Sequence, residues 1–304
     1  MPNATPGSVV AFADSPPAPL APWAPGRLVS LFRRDPAAIV AAIALLCIVL
    51  AAVLAPWLAP FDPTQYTDIT AGAQPPSAVH WLGTDQLNRD LLSRILYGAR
   101  VSLAISVLAV AVATIVGTAW GAVAGYAGGW TDRTLMHVVD AGLAIPRILL
   151  LLGIVALWGT LSTGAIVLLL GLTGWFGASR LVRAEVRATR ERDFTMAARA
   201  TGASPARVLV RHVLPHAMTP MLVAAALGVG QVVIIEAGLA FLGYGVAPPA
   251  ASWGSLIRDG RLALGTAWWL SVFPGAALAV TVLAINVLGD RLRAALGARQ
   301  LPPP

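Results

Sequence analysis

The sequence predicts an all-α polytopic membrane protein with six transmembrane helices. Of its 304 residues, 57% are hydrophobic and 12% are charged, whereas a soluble domain carries about 25% charged residues. The apolar residues form long runs, and such runs must be helical in lipid because every backbone polar group needs a partner within its own segment. The net charge of +7 rests on arginine alone, since the chain has no lysine. The arginines fall mainly between the apolar runs, which favours membrane topology over nucleic-acid binding.

The first transmembrane helix is predicted at 37–58, a run without a charged residue. The cytoplasmic tail before it, 1–36, begins with a segment rich in proline and alanine and is expected to be disordered. Each later span is long enough, or nearly so, to cross a bilayer as a helix. These spans lie at 101–125, 135–158, 164–181, 220–242 and 269–288.

Small residues are dense in the predicted spans. Gly117, Gly121 and Gly125 follow one another at intervals of four, so they share one helix face. This spacing permits close approach of a neighbouring helix. The alternative is a lipid-facing stripe of small residues with no specific partner.

Arginine placement predicts the orientation. With the N-terminus inside, fifteen arginines fall in inner segments and five in outer segments, and Arg147 lies within a span. An excess of basic residues marks the cytoplasmic side. We therefore expect a multi-pass protein of the bacterial plasma membrane, with the N-terminus and the C-terminal tail, 291–304, in the cytoplasm.

Two extracytoplasmic segments follow from this topology. The first, 59–100, is expected to contain an interfacial helix that enters the second span, capped by Thr84 or Asp85. The second, 247–267, contains prolines and the sequence Ser252-Trp253-Gly254. An ordered loop with an interfacial tryptophan is expected there.

The longest inner loop, 180–219, holds eight arginines. Within it a helix is predicted at 194–200, broken by Gly202, restarted at Ser204-Pro205 and stopped by Pro215. We call residues 194–215 the elbow. Its small residues and arginines suit docking into a groove of another protein. A basic segment that serves only topology and lipid headgroups is the alternative.

The elbow resembles the cytoplasmic signature of ABC-importer permeases, which reads Glu-Ala-Ala, then Gly after three further residues, then a later Leu-Pro. Met196 stands where that signature has glutamate. The resemblance therefore implies that docking to an ATPase rests here on shape and on arginines. The implied docking residues are Phe194, Met196, Ala197, Ala198, Arg199, Gly202, Ala203, Leu214 and Pro215.

Further motifs from Trp81 to Arg293 make the chain similar to the C-type permease of dipeptide, oligopeptide and nickel importers. They are Gly83-Thr84-Asp85, Arg89-Asp90, Gly125-Tyr126, Gly128-Gly129-Trp130, Asp132-Arg133, Glu236-Ala237-Gly238-Leu239, Phe241-Leu242-Gly243, Pro248-Pro249, Ser252-Trp253-Gly254 and Asn286-Val287-Leu288-Gly289-Asp290.

This resemblance implies a type I ABC-importer-like permease core at 101–290 that carries peptides. It also implies four kinds of partner: a homologous second permease, two ABC ATPases, an extracytoplasmic substrate-binding protein and membrane lipid. A Walker A motif needs a lysine, so ATP and magnesium are expected only in the partner subunits. We expect no catalytic residue, no cofactor and no metal in this chain, and His212 and His216 lack the glutamate of a metalloprotease motif.

Other candidate residues lie inside or beside the spans. Glu236 could face the translocation path, since a carboxylate within the membrane is a functional candidate by default. Alternatively, it could cap the helix break at 238–243 by hydrogen bonding. Asp140 and Arg147 are seven residues apart, are expected on one helix face and, like Glu236, are candidates for the translocation path. Arg147 could line the path or satisfy carbonyls freed around Pro146. Pro249, Ser252 and Trp253 are candidate contacts for the binding protein.

Two other classes of protein fit the sequence less well than an importer subunit. A self-contained secondary transporter, or another channel-like protein, should show internal repeats and broken intramembrane helices; no convincing repeat is present. An intramembrane hydrolase needs a nucleophile and a base within the spans. The sequence has no GxSxG motif, and His137 has no evident serine partner.

Overall fold

The computed structural model describes residues 35–65, 69–159 and 161–297. Every regular element in these ranges is helical, apart from one isolated bridge between Thr84 and Asp90. The all-α prediction is therefore confirmed for the described part of the chain. The expected disorder of the tail at 1–36 falls almost entirely outside the described residues, as does the end of the predicted tail at 291–304.

The described ranges contain eleven α-helices, numbered here in chain order. They are α1 Pro36–Val53, α2 Ala55–Leu58, α3 Leu91–Ala127, α4 Gly129–Ala144, α5 Arg147–Trp158, α6 Thr163–Arg190, α7 Asp193–Ala200, α8 Pro205–Val208, α9 Leu214–Phe241, α10 Trp253–Gly260 and α11 Trp269–Gly297. Short 3-10 turns occur at Ile69–Ala71 and Arg261–Ala263, and a π-helical turn, Leu209–Val213, joins α8 to α9.

Five helical segments are long and apolar enough to cross a membrane: α1, α3, α6, α11 and the continuous segment formed by α8 and α9. The predicted span at 135–158 is instead a bent pair, α4 and α5, whose axes differ by 82°. Pro146 explains the break, because proline lacks a backbone N–H and disfavours helical geometry at the preceding Ile145. The total is six only if this pair forms one span, so six crossings and the N-in, C-in orientation stay predictions.

Several helices extend beyond the apolar runs from which they were predicted. α3 starts at Leu91, and Asp90 is its cap, accepting a hydrogen bond from the Ser93 N–H at 2.8 Å. The expectation that Thr84 or Asp85 would be the cap was wrong. α11 runs on to Gly297, so the predicted tail at 291–304 begins as helix.

The two ends of the described chain lie at the same end of the bundle. Asp35 caps α1 by accepting from the Ala37 N–H at 3.0 Å. Its other carboxylate oxygen lies 2.8 Å from Arg291 Nε on α11. This ion pair fixes the start of α1 beside the last part of α11.

The most extensive helix contact joins α3 to α6. A Cβ added at Gly117 would lie 2.6 Å from the Ala178 Cβ, and one at Gly125 would lie 2.7 Å from the Arg183 carbonyl oxygen. Both are far below normal contact distances. The glycine stripe therefore faces a specific partner helix, and the alternative of a lipid-facing stripe is wrong.

A buried polar network closes the other end of the bundle, beside Trp253. Asp85 accepts from Arg89 Nε at 2.7 Å and from Arg94. It also accepts from the backbone N–H of Leu87 and Arg89, both at 2.9 Å. The network orders the segment that leads into α3, because one buried carboxylate holds two buried arginines.

We predict that Gly121→Ala destabilises the protein. The added Cβ would collide with the backbone of Ser179 and Arg183 on α6, and overpacking of this kind costs about 1–3 kcal/mol. The measurement is the free energy of unfolding of the purified chain in detergent.

Gly177→Ala on α6 is the matched control, since nothing lies within 4 Å of its added Cβ. Alanine has the higher helix propensity, so this variant should be as stable as the original chain or up to about 1 kcal/mol more stable. Equal stability of the two variants would contradict the close approach of α3 and α6.

We further predict that Asp85→Asn destabilises the segment before α3. The change removes the negative charge that the buried guanidinium groups of Arg89 and Arg94 share, and breaking a buried pair costs about 3–5 kcal/mol. Asp62→Asn is the control, because Asp62 is exposed and accepts from Thr64. Thermal unfolding should separate the two variants, and a loss as small as that of the control would show that the network is dispensable.

Candidate functional site

The elbow is fixed to the end of α6 by a buried threonine. Thr195, in the first turn of α7, donates its hydroxyl to the Thr189 carbonyl at 2.9 Å. This carbonyl belongs to the last turn of α6, whose final carbonyls have no partner within the helix. The bond therefore sets the direction in which α7 leaves α6.

Gly202 ends α7 with a left-handed turn. Its φ is +82°, and its N–H donates to the Arg199 carbonyl at 3.0 Å. The next N–H, of Ala203, reaches back to the Ala198 carbonyl at 3.2 Å. This pair of bonds is the Schellman motif, which favours glycine because other residues are strained at positive φ. The predicted helix break at Gly202 is confirmed.

A small apolar core supports the elbow from below. Val208 and Val213 are buried against Val182 and Val186 of α6. Three of the implied docking residues pack against the same core and therefore support the elbow from inside. They are Ala198, Ala203 and Leu214.

The other implied docking residues are exposed. Met196 is 51% exposed on the outward face of α7, and the ring of Phe194 stacks on His216 with centroids 5.1 Å apart. The Arg199 guanidinium lies 5.3 Å from the centre of the Tyr126 ring. The exposed set is Phe194, Met196, Ala197, Arg199, Gly202 and Pro215. The elbow therefore presents an apolar surface edged by arginine.

Pro215 does not stop the helix, contrary to the sequence prediction. It lies in the first turn of α9, and the backbone continues from α8 through the π-helical turn. In that turn the Leu214 N–H donates to the Leu209 carbonyl, five residues back. The wider turn tolerates proline, whose ring would otherwise clash with the carbonyl four residues earlier.

Three arginines of the inner loop at 180–219 bind other parts of the chain. Arg183 binds both carboxylate oxygens of Asp132, with Nη2 to Oδ2 at 2.6 Å. Arg190 donates to the Tyr126 carbonyl at 2.8 Å. Arg180 lies 2.6 Å from Asp140. Sequence reasoning missed the Asp132–Arg183 pair, because no spacing rule links residues 51 positions apart.

Asp140 and Arg147 do not share a helix face, contrary to the prediction from their spacing. The 82° bend between α4 and α5 separates them. Arg147 donates instead to the Leu170 carbonyl of α6 at 2.7 Å. The predicted bonding to carbonyls freed around Pro146 is therefore not what Arg147 makes, and its place in the path stays a prediction.

Glu236 is buried, with 1% of its surface exposed. One carboxylate oxygen lies 3.4 Å from the Ser102 hydroxyl, and the other has no hydrogen-bond partner among the described residues. The helix break at 238–243 is capped by backbone hydrogen bonds, with the Gly243 N–H donating to the Ala240 carbonyl at 3.0 Å. The expected capping by Glu236 was therefore wrong, while its role in the path stays a prediction.

The expected binding-protein contacts divide between core and surface. Trp253 is 1% exposed, and its indole N–H donates to the Ile95 carbonyl at 3.2 Å. Ser252 is buried as the cap of α10. Direct contact with a partner through these two side chains was therefore a wrong expectation, and Trp253 is a core residue. Pro249 is exposed beside them and stays a candidate.

Within the described ranges, no group of three or more histidine, cysteine, aspartate or glutamate side chains is placed to hold a metal ion.

Comparison with known proteins covers most of the chain. Residues 117–301 match the family described as binding-protein-dependent transport system inner membrane component. Residues 27–76 match the N-terminal transmembrane domain of oligopeptide transport permease C, in agreement with the C-type resemblance of the sequence.

Full-length relatives give the same result. A dipeptide transport system permease protein of Alkalihalophilus pseudofirmus is 40% identical over 265 residues, which are 87% of this chain and 86% of the relative. A glutathione transport system permease protein of Escherichia coli is 38% identical over 265 residues, 87% of each chain. These matches favour an importer subunit over the alternative of a self-contained secondary transporter. The chain belongs to the family of inner membrane components of binding-protein-dependent transport systems.

Proposed function

We propose that the chain is one of two permease subunits of an ABC importer for peptides. The family supplies the dependence on a binding protein. The cargo class rests on the dipeptide and glutathione permeases that the chain resembles along most of its length. The chain would pair with a homologous second permease and carry part of the translocation path.

The elbow is the proposed docking site for a partner ATPase. The geometry of the elbow is the observation that supports this assignment. A short helix, α7, projects from the end of α6 with Phe194 and Met196 exposed, while its inward residues are locked on an apolar core. A rigid, partly apolar projection suits insertion into a groove. The chain has no lysine and hence no Walker A motif, so the partner supplies ATP hydrolysis.

Coupling follows from the connections of the elbow. α7 is bonded to α6 through Thr195, and α8 continues through the π-helical turn into α9. Movement of a docked ATPase would therefore be passed to α6 and α9 together. The two access states would differ in their contacts to the docked partners.

At the opposite end of the bundle, the exposed prolines at 248–249 precede the buried start of α10. We place the contact with the binding protein on this exposed loop. With the elbow in the cytoplasm, both the ion-paired start of α1 and the final part of α11 would also lie inside, in keeping with the arginine count.

We predict that Gly202→Val weakens coupling. No atom would meet a Cβ at this position, so the cost arises from the positive φ, about 1–2 kcal/mol for most residues. That cost corresponds to a fall of about 5- to 30-fold in the equilibrium constant for forming the left-handed turn of the elbow. The measurements are ATPase subunits retained on purification and ATPase activity stimulated by the binding protein.

Gly202→Asn is the matched control, because asparagine tolerates the left-handed conformation better than valine. It should retain more coupling than the valine variant. If the two variants couple equally well, the shape of the elbow does not determine docking.

The cargo is tested by reconstituting the chain in liposomes with its second permease and ATPases. We expect uptake of a labelled dipeptide only when the binding protein and ATP are both present. The chain alone, under an imposed proton gradient, should transport nothing. Uptake by the chain alone would restore the secondary-transporter alternative, and uptake of another solute class would overturn the peptide assignment.

A further inference from the structure

Arg147 is a cation at the centre of the apolar region. It lies against Gly174 of α6 and lines a cavity with Thr114 and Gln231. Thr114, Gly174 and Gln231 each lie within two positions of the midpoint of an apolar run. The runs are 101–125, 164–181 and 220–242, respectively. Arg147 is therefore at mid-depth, where an arginine is costly and marks a functional pathway by default.

The guanidinium of Arg147 has no carboxylate within 4.0 Å among the described residues. It makes one hydrogen bond, to the Leu170 carbonyl, and its enclosed Nε has no partner. Asp140, which the sequence spacing suggested as a partner, pairs with Arg180 instead. Guanidinium has five donors in a planar fork, so most of its binding capacity remains unused.

The surroundings make room for this cation. A Cβ at position 174 would lie 2.9 Å from Arg147 Nη2, so the glycine at that position is what leaves space for the guanidinium. The cavity beside it has a volume of about 230 Å³ and opens toward the exposed Gly177 and Gln231. These two exposed residues leave the cavity accessible from outside the bundle that this chain forms.

The break between α4 and α5 adds to the positive charge. α5 begins at Arg147 itself, and the first N–H groups of a helix carry a partial positive charge. In other transporters, broken helices place such half-helix ends against anionic substrate groups near the membrane midplane. Here the first residue of α5 is also the one that carries the guanidinium.

We propose that Arg147, with Gln231, forms a subsite that binds the carboxylate of a peptide during its passage. This inference rests on the proposed import of peptides, whose free C-terminus is a carboxylate. Arg147 would form a charge-assisted, two-point contact with it, and the Gln231 amide N–H would add a neutral donor. A lipid phosphate is the less suitable anion, because the site is at mid-depth and headgroups lie at the membrane surface.

The test uses the complete complex of both permeases and the ATPases in lipid nanodiscs, without the binding protein. The probes are trialanine and trialanine amide, which differ in the C-terminal carboxylate. The wild-type complex should bind trialanine about tenfold more tightly than the amide, because a charge-assisted hydrogen bond contributes that much binding free energy. Affinity is measured by thermal stabilisation. Arg147→Gln should abolish this preference, and Arg147→Lys should retain part of it.

Gly177→Ala is the control, because it lines the same cavity in open space and should keep the preference. Absence of a preference in the original complex, or its persistence in Arg147→Gln, overturns the proposal. Loss of the second permease on purification of Arg147→Gln also overturns it, since Arg147 would then pair with a carboxylate of that subunit. Failure of the original complex to import trialanine with the binding protein would instead refute the peptide cargo.

Discussion

The close approach of α3 and α6 is the contact on which the other functional features depend. Gly121 and Gly125 bring the two helix backbones together. This contact positions functional features at the elbow end of the helix pair and halfway along it. At the elbow end, the contact places the Tyr126 carbonyl within reach of Arg190. Halfway along, it leaves Thr114 beside the cavity of Arg147. A bulkier stripe on α3 would move both the elbow and the cavity at once.

Charge is treated differently at the ends of the bundle and at its centre. Asp85 holds two buried arginines at the Trp253 end, and Asp132 holds Arg183 near the elbow. The Asp85 pairs order a local segment, the Asp132–Arg183 pair joins residues 51 positions apart, and neither set needs an outside partner. Arg147 has no such carboxylate among the described residues. An unpaired charge at mid-depth destabilises the fold, and under the proposed subsite the carboxylate of a passing peptide supplies the missing anion.

The sequence predicted the features that depend on nearby residues. Apolar runs marked the long helices, Gly202 marked the end of α7, and the spacing of Gly121 and its neighbours marked a packing face. Features that depend on distant residues were missed. Trp253 looked interfacial, yet Ile95, 158 residues earlier in the chain, accepts its indole hydrogen bond. The apolar run at 135–158 predicted one continuous span, whereas the helix breaks at Pro146 with an 82° bend that parts Asp140 from Arg147.

Met196 bears on how the elbow can bind a partner. The permease signature that the chain resembles has glutamate at this position, and here the side chain is an exposed thioether. A flexible apolar side chain fills irregular gaps and brings no desolvation cost of a charge. The apolar contact would then extend from Phe194 across Met196, with Arg199 held against Tyr126 at its edge. Under the proposed docking, shape complementarity provides the contact, and arginine provides the charge around it.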